Sequence, residues 1–364
     1  MQVKQVVGWI EDFAAPALQE SYDNAGLIVG DPSMEVSGVL LCIDVTEAVI
    51  DEAIANKLNL IIAHHPLIFS GLKRITGSHW VQRCVIKAIK ADIAIYAAHT
   101  NIDSVLKGVN DRIADQIGLV ERRILRPKGQ ALLKLVTFVP QLHVQRVREA
   151  LFAAGAGTIG NYDNCSFEST GRGSFRGNEQ AQPFVGEAGK MHYEAEVRLE
   201  VILPDYLRSS VVKSLFEAHP YEEPAYDLIR LENEWERVGA GLMGRLPNGM
   251  SEADFLQHIR LVFGNNSIRH TAFRGKTIEK VALCGGSGSF LLEDAKAQGA
   301  DVFISGDFKY HDFFEADGDI LIADPGHYEM EQFTKELFFE VIQKKNPIFA
   351  VQISQTSTNP IIYL

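Results

Sequence analysis

The sequence predicts an α/β fold. Mostly parallel sheets covered by helices are built from the N- and C-terminal parts of the chain, and an α+β domain is inserted between those parts. Three observations carry this. Short continuous apolar runs rich in β-branched residues recur, as buried parallel strands require. Stretches with helical spacing separate them. The same grammar occupies both ends of the chain, while the middle alternates in a different order.

Along the first third, MQVKQVVGWIEDFAAP reads as an amphipathic helix. It lacks the apolar core and small-residue cleavage site of a signal peptide. Val36–Ile43 is a strand, and Val45–Lys57 is a helix with Val49, Ile50, Ala53 and Ile54 on one face. Leu58–Ala63 is the next strand, Trp80–Lys90 the next helix, Ile93–Ala98 a third strand, and VNDRIADQIGL a further helix. In the last third, Lys280–Leu283, Asp301–Ile304 and Ile320–Ala323 are strands. Helices are expected to begin near Gly288, Asp307 and His327, and Asn346–Ser354 is a final strand.

The middle reads strand Ala131–Val139, helix Val144–Ala154, strands Tyr162–Thr170 and Tyr193–Leu203, helix Asp205–His219 and strand Ala225–Leu231. That βαββαβ order is the ferredoxin-like pattern. STGRGSFRGNEQ is expected to be a long mobile hairpin loop, and the charged ENEWER leads out. The expected domains are residues 1–127 plus 236–364, and the insert at 128–235.

Composition narrows the function. Hydrophobic residues make up 46% and charged residues 23% of the 364, as in ordinary globular chains. The net charge of −12 counts against general nucleic-acid binding, which needs clustered Lys and Arg. No segment approaches the roughly 20 apolar residues of a membrane span. Cys42, Cys84, Cys165 and Cys284 form no CxxC pair and read as reduced thiols of a cytoplasmic protein.

The chemistry concentrates at strand ends, where open parallel sheets bind ligands. His64 and His65 directly follow one buried strand. "AAHTNID" places His99 and Asp103 after the next. "ADPGHYEMEQF" places His327 and Glu331 after a third, four apart and so on one helix face. Taken singly, each group has an ordinary structural explanation: a histidine satisfied in the core, or a helix-surface pair. Recurrence after three strands points to a metal centre. Imidazole with carboxylate suits zinc, manganese, iron or cobalt. Five such ligands exceed one open tetrahedral site and suit two ions sharing a carboxylate. His99 could orient Asp103 or a water. Lys309 and His311, in "GDFKYHD", could hold phosphate or shuttle a proton. "CGGSGS" could cradle an anion, and Cys284 within it reads better as a small buried residue than as a nucleophile.

The segments "DNAGLIVG", "AHHPLIF", "AAHTNID", "SGDFKYHD" and "DPGHYEME", in this order, resemble the signature segments of the Nif-three-like family, whose members are called GTP cyclohydrolase 1 type 2 homologues. The middle, with "HPYEEPAYDL", resembles the PII/CutA-like insert of the longer bacterial members. The resemblance implies a dinuclear centre: His65 and Asp103 on one ion, His64 and His327 on the other, Glu331 bridging. It also implies a toroidal homohexamer and a metal-dependent hydrolase acting on a nucleotide or another phosphate-containing small molecule. The competing reading is a metal-containing regulatory or interaction protein whose insert senses a small molecule or partner.

Overall fold

In the computed structural model, which describes every residue except Asn266 and Leu364, the chain divides into two compact units. One is Met1–Arg126 with Arg237–Leu364. The other is Pro127–Glu236.

The first unit opens with the helix Val3–Phe13, which buries Val3, Val6, Val7 and Ile10. Strands β1 (Gly26–Val29), β2 (Val39–Cys42), β3 (Leu60–Ala63) and β4 (Ala94–Ala97) follow. Every residue of β2, β3 and β4 is buried, as their uninterrupted apolar runs require. The helix Glu47–Ala55, capped by the Thr46 hydroxyl accepting from the Val49 amide, joins β2 to β3. The helix Trp80–Lys90 joins β3 to β4. Beyond the short helix Thr100–Asp103 and the helix Val109–Ile117, which ends at Gly118 with φ of +82°, comes β5 (Val120–Lys128).

The second unit contains β6 (Leu132–Pro140), the helix Val144–Ala153, β7 (Phe167–Phe175), β8 (His192–Pro204), the helix Arg208–Ala218 and β9 (Tyr226–Arg230). The sheet order is β7-β8-β6-β9 with antiparallel neighbours throughout. Val197, Leu199, Val201 and Leu203 of β8 pack with Val147, Leu151, Val211 and Leu215 of the two helices. One sheet face is therefore core. The strand expected at Tyr162–Thr170 lies instead at Phe167–Phe175, so half of the segment expected to be a mobile loop is strand. Gly171 and Gly173 hide it, because they contribute no side chain to the alternation that marks a strand.

The chain returns to the first unit with β10 (Trp235–Ser251), β11 (Arg269–His270), β12 (Thr277–Ser287), β13 (Val302–Gly306), β14 (Leu321–Asp324) and β15 (Val351–Ile353). β10 begins inside the charged ENEWER segment, which was expected to be a connector. The helix expected near Asp307 is a 3-10 helix, Tyr310–Ala316.

The unit holds two sheets, ordered β1-β4-β3-β2-β15 and β11-β14-β13-β12-β10-β5. β15-β2-β3-β4 and β12-β13-β14 run parallel. Antiparallel pairing at β1 and β4, at β11 and β14, and at β10 and β12 makes both sheets mixed. β15, from the far end of the chain, completes the sheet of β2 to β4. Among the described residues, no helix is long and apolar enough to cross a membrane.

Candidate metal centre

β3 delivers His64 and His65. Their amides continue the ladder beyond the strand, donating to the carbonyls of Cys42 at 3.2 Å and Ile43 at 2.9 Å. Backbone hydrogen bonding thus fixes the pair at the sheet edge, with ring centroids 4.9 Å apart. β14 ends at Asp324, and Pro325 and Gly326 turn the chain into the helix His327–Glu331. Asp103 ends the short helix after β4.

The side chains converge on Glu331, which is 2% exposed. His64 Nδ1 donates to the Ala98 carbonyl at 3.0 Å, which leaves Nε2 with its lone pair. That Nε2 lies 3.5 Å from Glu331 Oε1 and 3.7 Å from Asp103 Oδ1. His64 Nε2 and Asp103 Oδ1 are both buried without a hydrogen-bond partner. On the other carboxylate oxygen, Glu331 Oε2, His65 Nε2 and His327 Nε2 each approach to 3.0 Å, and the two nitrogens face one another at 3.2 Å. The distances therefore group His64 with Asp103 and His65 with His327. The resemblance implied the other division, so the two partitions differ.

Space for this packing comes from glycine. A Cβ on Gly286, whose φ is +61°, would lie 2.4 Å from Glu331 Oε1. "CGGSGS" thus accommodates a carboxylate within the cluster, where an anion cradle had been considered.

The field is strongly negative. Burial alone would lower the His64, His65 and His327 pKa values, but the surrounding carboxylates raise all three. His64 is raised by Glu331 and Asp103. His65 reaches about 10 through Asp44 and Glu331, and His327 about 11 through Glu331 and Asp307. Burial pushes the Asp103 carboxyl up, while the histidines hold Glu331 well below the usual carboxylate range against its burial. The donor atoms of His64, His65 and Glu331 lie within 4.8 Å of one another, so this group could hold a metal ion. The partnerless Nε2 and Oδ1 fit that: each carries a lone pair aimed into a space that a cation would satisfy.

Three carboxylates that the sequence reading passed over hold the histidines. Asp44 Oδ1 accepts from His65 Nδ1 at 2.7 Å, and Asp307 Oδ2 accepts from His327 Nδ1 at 2.7 Å. Asp23 Oδ1 accepts from His99 Nδ1 at 2.8 Å. Such contacts fix ring orientation and leave Nε2 as the donor atom. Asp44 and Asp307 each directly follow a short buried strand run, the same signal that singled out His64.

His99 sits with its ring centroid 5.4 Å from both His64 and His65. Its ring is held by Asp23, and no described side-chain hydrogen bond joins it to Asp103, whose amide donates to the His99 carbonyl at 3.3 Å. Lys309 and His311 are exposed on the 3-10 turn, where the Lys309 amide donates to Asp312 and the His311 ring lies against Tyr310. Neither makes a described bond to the cluster. Cys284 is buried, and burial together with Asp103 and Glu331 pushes its thiol far up, so a reactive thiolate is not available there.

Fold and site define an α/β protein with a histidine–carboxylate group able to hold a metal ion. The family described as Duf34/NIF3 (NGG1p interacting factor 3) matches residues 1–360, and the chain belongs to it. It is 40% identical over 364 residues to a Halalkalibacterium halodurans protein named GTP cyclohydrolase 1 type 2 homolog, covering 99% of this chain and 98% of that one. A Bacillus subtilis protein of the same name is 38% identical over 369 residues, with 99% and 98% covered. A crystal structure of a Bacillus cereus protein related to NIF3 superposes with a TM-score of 0.85 at 38% identity, covering 100% of this chain and 99% of that one.

Proposed function

We propose that the chain is a dinuclear metal-dependent hydrolase acting on a nucleotide or another phosphate-containing small molecule. The observation that carries this is the buried, partnerless pair His64 Nε2 and Asp103 Oδ1 facing Glu331. Two divalent ions (zinc, manganese, iron or cobalt) would be held by His64 and Asp103 with Glu331 Oε1, and by His65 and His327 with Glu331 Oε2. Bound there, they would supply Lewis acidity and a lowered pKa for water. The chain's own residues do the rest. Asp44 and Asp307 hold two of the ligand rings. Asp23 fixes His99 beside the cluster, where its free Nε2 can take or give a proton. Lys309 and His311 would meet substrate phosphate from their exposed turn.

The relatives' name suggests GTP as the first substrate to try. We also read Pro127–Glu236 as an inserted ferredoxin-like domain, from its βαββαβ order and antiparallel sheet, and the assembly as a cytoplasmic homohexamer, which sedimentation would test. The functional test is turnover by metal-reconstituted protein on GTP and a panel of phosphoesters. Hydrolysis that is lost in His64→Ala and in Glu331→Ala is the expected result. Hydrolysis that persists through chelation and through both substitutions would overturn the proposal.

A further inference from the structure

A cavity within Pro127–Glu236 shares no residue with the histidine cluster. It encloses about 1030 Å³, at the upper end of ordinary small-molecule sites. It opens on the sheet face opposite the helices. The β7–β8 register places Gly171 opposite Glu196 and Gly173 opposite Glu194, while Val197 and Leu199 turn into the core.

The floor is shaped around one carboxylate. A Cβ on Gly173 would lie 2.0 Å from Glu196 Oε2, so any other residue there would turn this carboxylate aside. Glu196 Oε1 accepts from the Tyr221 hydroxyl at 2.8 Å, and no described contact occupies Oε2. Tyr221 is itself fixed. Its amide donates to His219 Nδ1 at 3.0 Å, while His219 Nε2 donates to the Phe138 carbonyl at 3.0 Å.

Aromatic rings form the walls. Phe175 and Phe184 stand 5.8 Å and 6.4 Å from the Tyr221 ring, and Phe138 completes the lining. The loop over the cavity is tied down by the Gln182 amide donating to Glu222 Oε2 at 3.0 Å. Three arginines line the cavity: Arg176 is exposed and has no described partner, and the other two are engaged. Arg198 pairs with Glu200 at 3.0 Å, and the Arg172 guanidinium lies 4.4 Å over the Tyr193 ring. Burial raises the Tyr221 hydroxyl, and Glu196 and Glu194 raise it further, which marks a negative field at the floor.

A free carboxylate oxygen ringed by aromatic faces recognises a cation, through an ion pair at the floor and cation–π attraction at the walls. We propose that this cavity binds an organic cation bearing a primary ammonium or guanidinium group, with Glu196 as its counter-ion and Phe175, Phe184 and Tyr221 as its walls.

The test is calorimetric titration of the full chain with agmatine and spermidine, and with AMP as the anionic arm. Saturable binding of an amine, tighter than about 1 mM, is expected. Glu196→Gln should weaken it at least about tenfold. Gly173→Ala should do the same by displacing the carboxylate, and thermal melts would show both variants folded. Binding should survive in His64→Ala. That control separates the cavity from the acidic histidine cluster, and it keeps this proposal's outcome apart from that of the hydrolase reading. Three results would overturn the proposal: no saturable amine binding, equal affinity in Glu196→Gln, or loss of binding in His64→Ala alone. AMP binding in place of the amines would overturn it as well.

Discussion

The histidine cluster of the first unit and the cavity of the second both place carboxylates where a ligand could reach them, and they differ in how those groups are satisfied. In the cluster, His64 Nε2 and Asp103 Oδ1 are buried without a hydrogen-bond partner, held only in looser ion-pair contacts of 3.5 to 3.7 Å. In the cavity, Glu196 receives Tyr221 and Glu222 receives a backbone amide. An unpaired buried polar group costs on the order of 1–3 kcal/mol. The cluster could therefore gain from a cation, whereas the cavity floor is largely satisfied by its own chain. The proposals therefore differ: a tightly held metal in the first, a reversibly bound ligand in the second.

The comparison breaks most directly at Glu331, whose two oxygens serve both halves of the cluster. Glu331→Ala should abolish retention of metal through gel filtration, read by elemental analysis, while Glu196→Gln leaves it unchanged. Next in size are the groups that hold ligands. Asp44→Asn should lower metal affinity by about 10–100-fold, the usual cost of losing a carboxylate behind a ligating histidine. Thr358 donates to Asp44 Oδ2 at 2.7 Å, so Thr358→Val should give a smaller loss and Thr358→Ser should restore it, measured by competitive titration with a chelating dye.

The orphaned pair itself supplies a subtler effect. In metal-free protein, Asp103→Asn removes a carboxyl that burial and the neighbouring Glu331 both disfavour as an anion, at the loss of its attraction to His64. Metal-free stability in denaturant should rise by about 1 kcal/mol while metal affinity falls. A fall in both would mean that Asp103 stabilises the fold in some other way.

The smallest effect concerns Asp23. Burial would raise its carboxyl, but hydrogen bonds from His99 and Thr100 outweigh that and hold it at about 2. A depressed carboxyl contributes stability that is present above its unfolded pKa of roughly 4 and is lost as pH falls through the folded value. Asp23→Asn should remove on the order of 1 kcal/mol at neutral pH, after allowance for solvent screening. The deficit should shrink between roughly pH 4 and pH 2 in acid-denaturation curves.

Much of the cluster was legible because buried strands announce their own ends. LIIA runs straight into His64 and His65, and LIAD into the turn before His327. Asp44 and Asp307 were not singled out, because an aspartate after a strand is also ordinary turn chemistry, and Asp23 lies in the turn before β1 with no strand end to mark it; only the fold brings each to its histidine. How the ligands would divide between two ions was beyond spacing, since it depends on which way adjacent rings turn at the end of β3. In the second unit, β7 stayed hidden behind Gly171 and Gly173, the residues that leave its face open. β10 stayed hidden because its first residues are charged and its pairing is non-local.

The central claim is that the cluster holds two ions. Elemental analysis of the purified full chain after reconstitution, with protein concentration measured independently, tests it most directly. The account predicts two divalent ions per chain, falling to none in Glu331→Ala. No bound metal under any reconstitution, or full retention in Glu331→Ala, would contradict it.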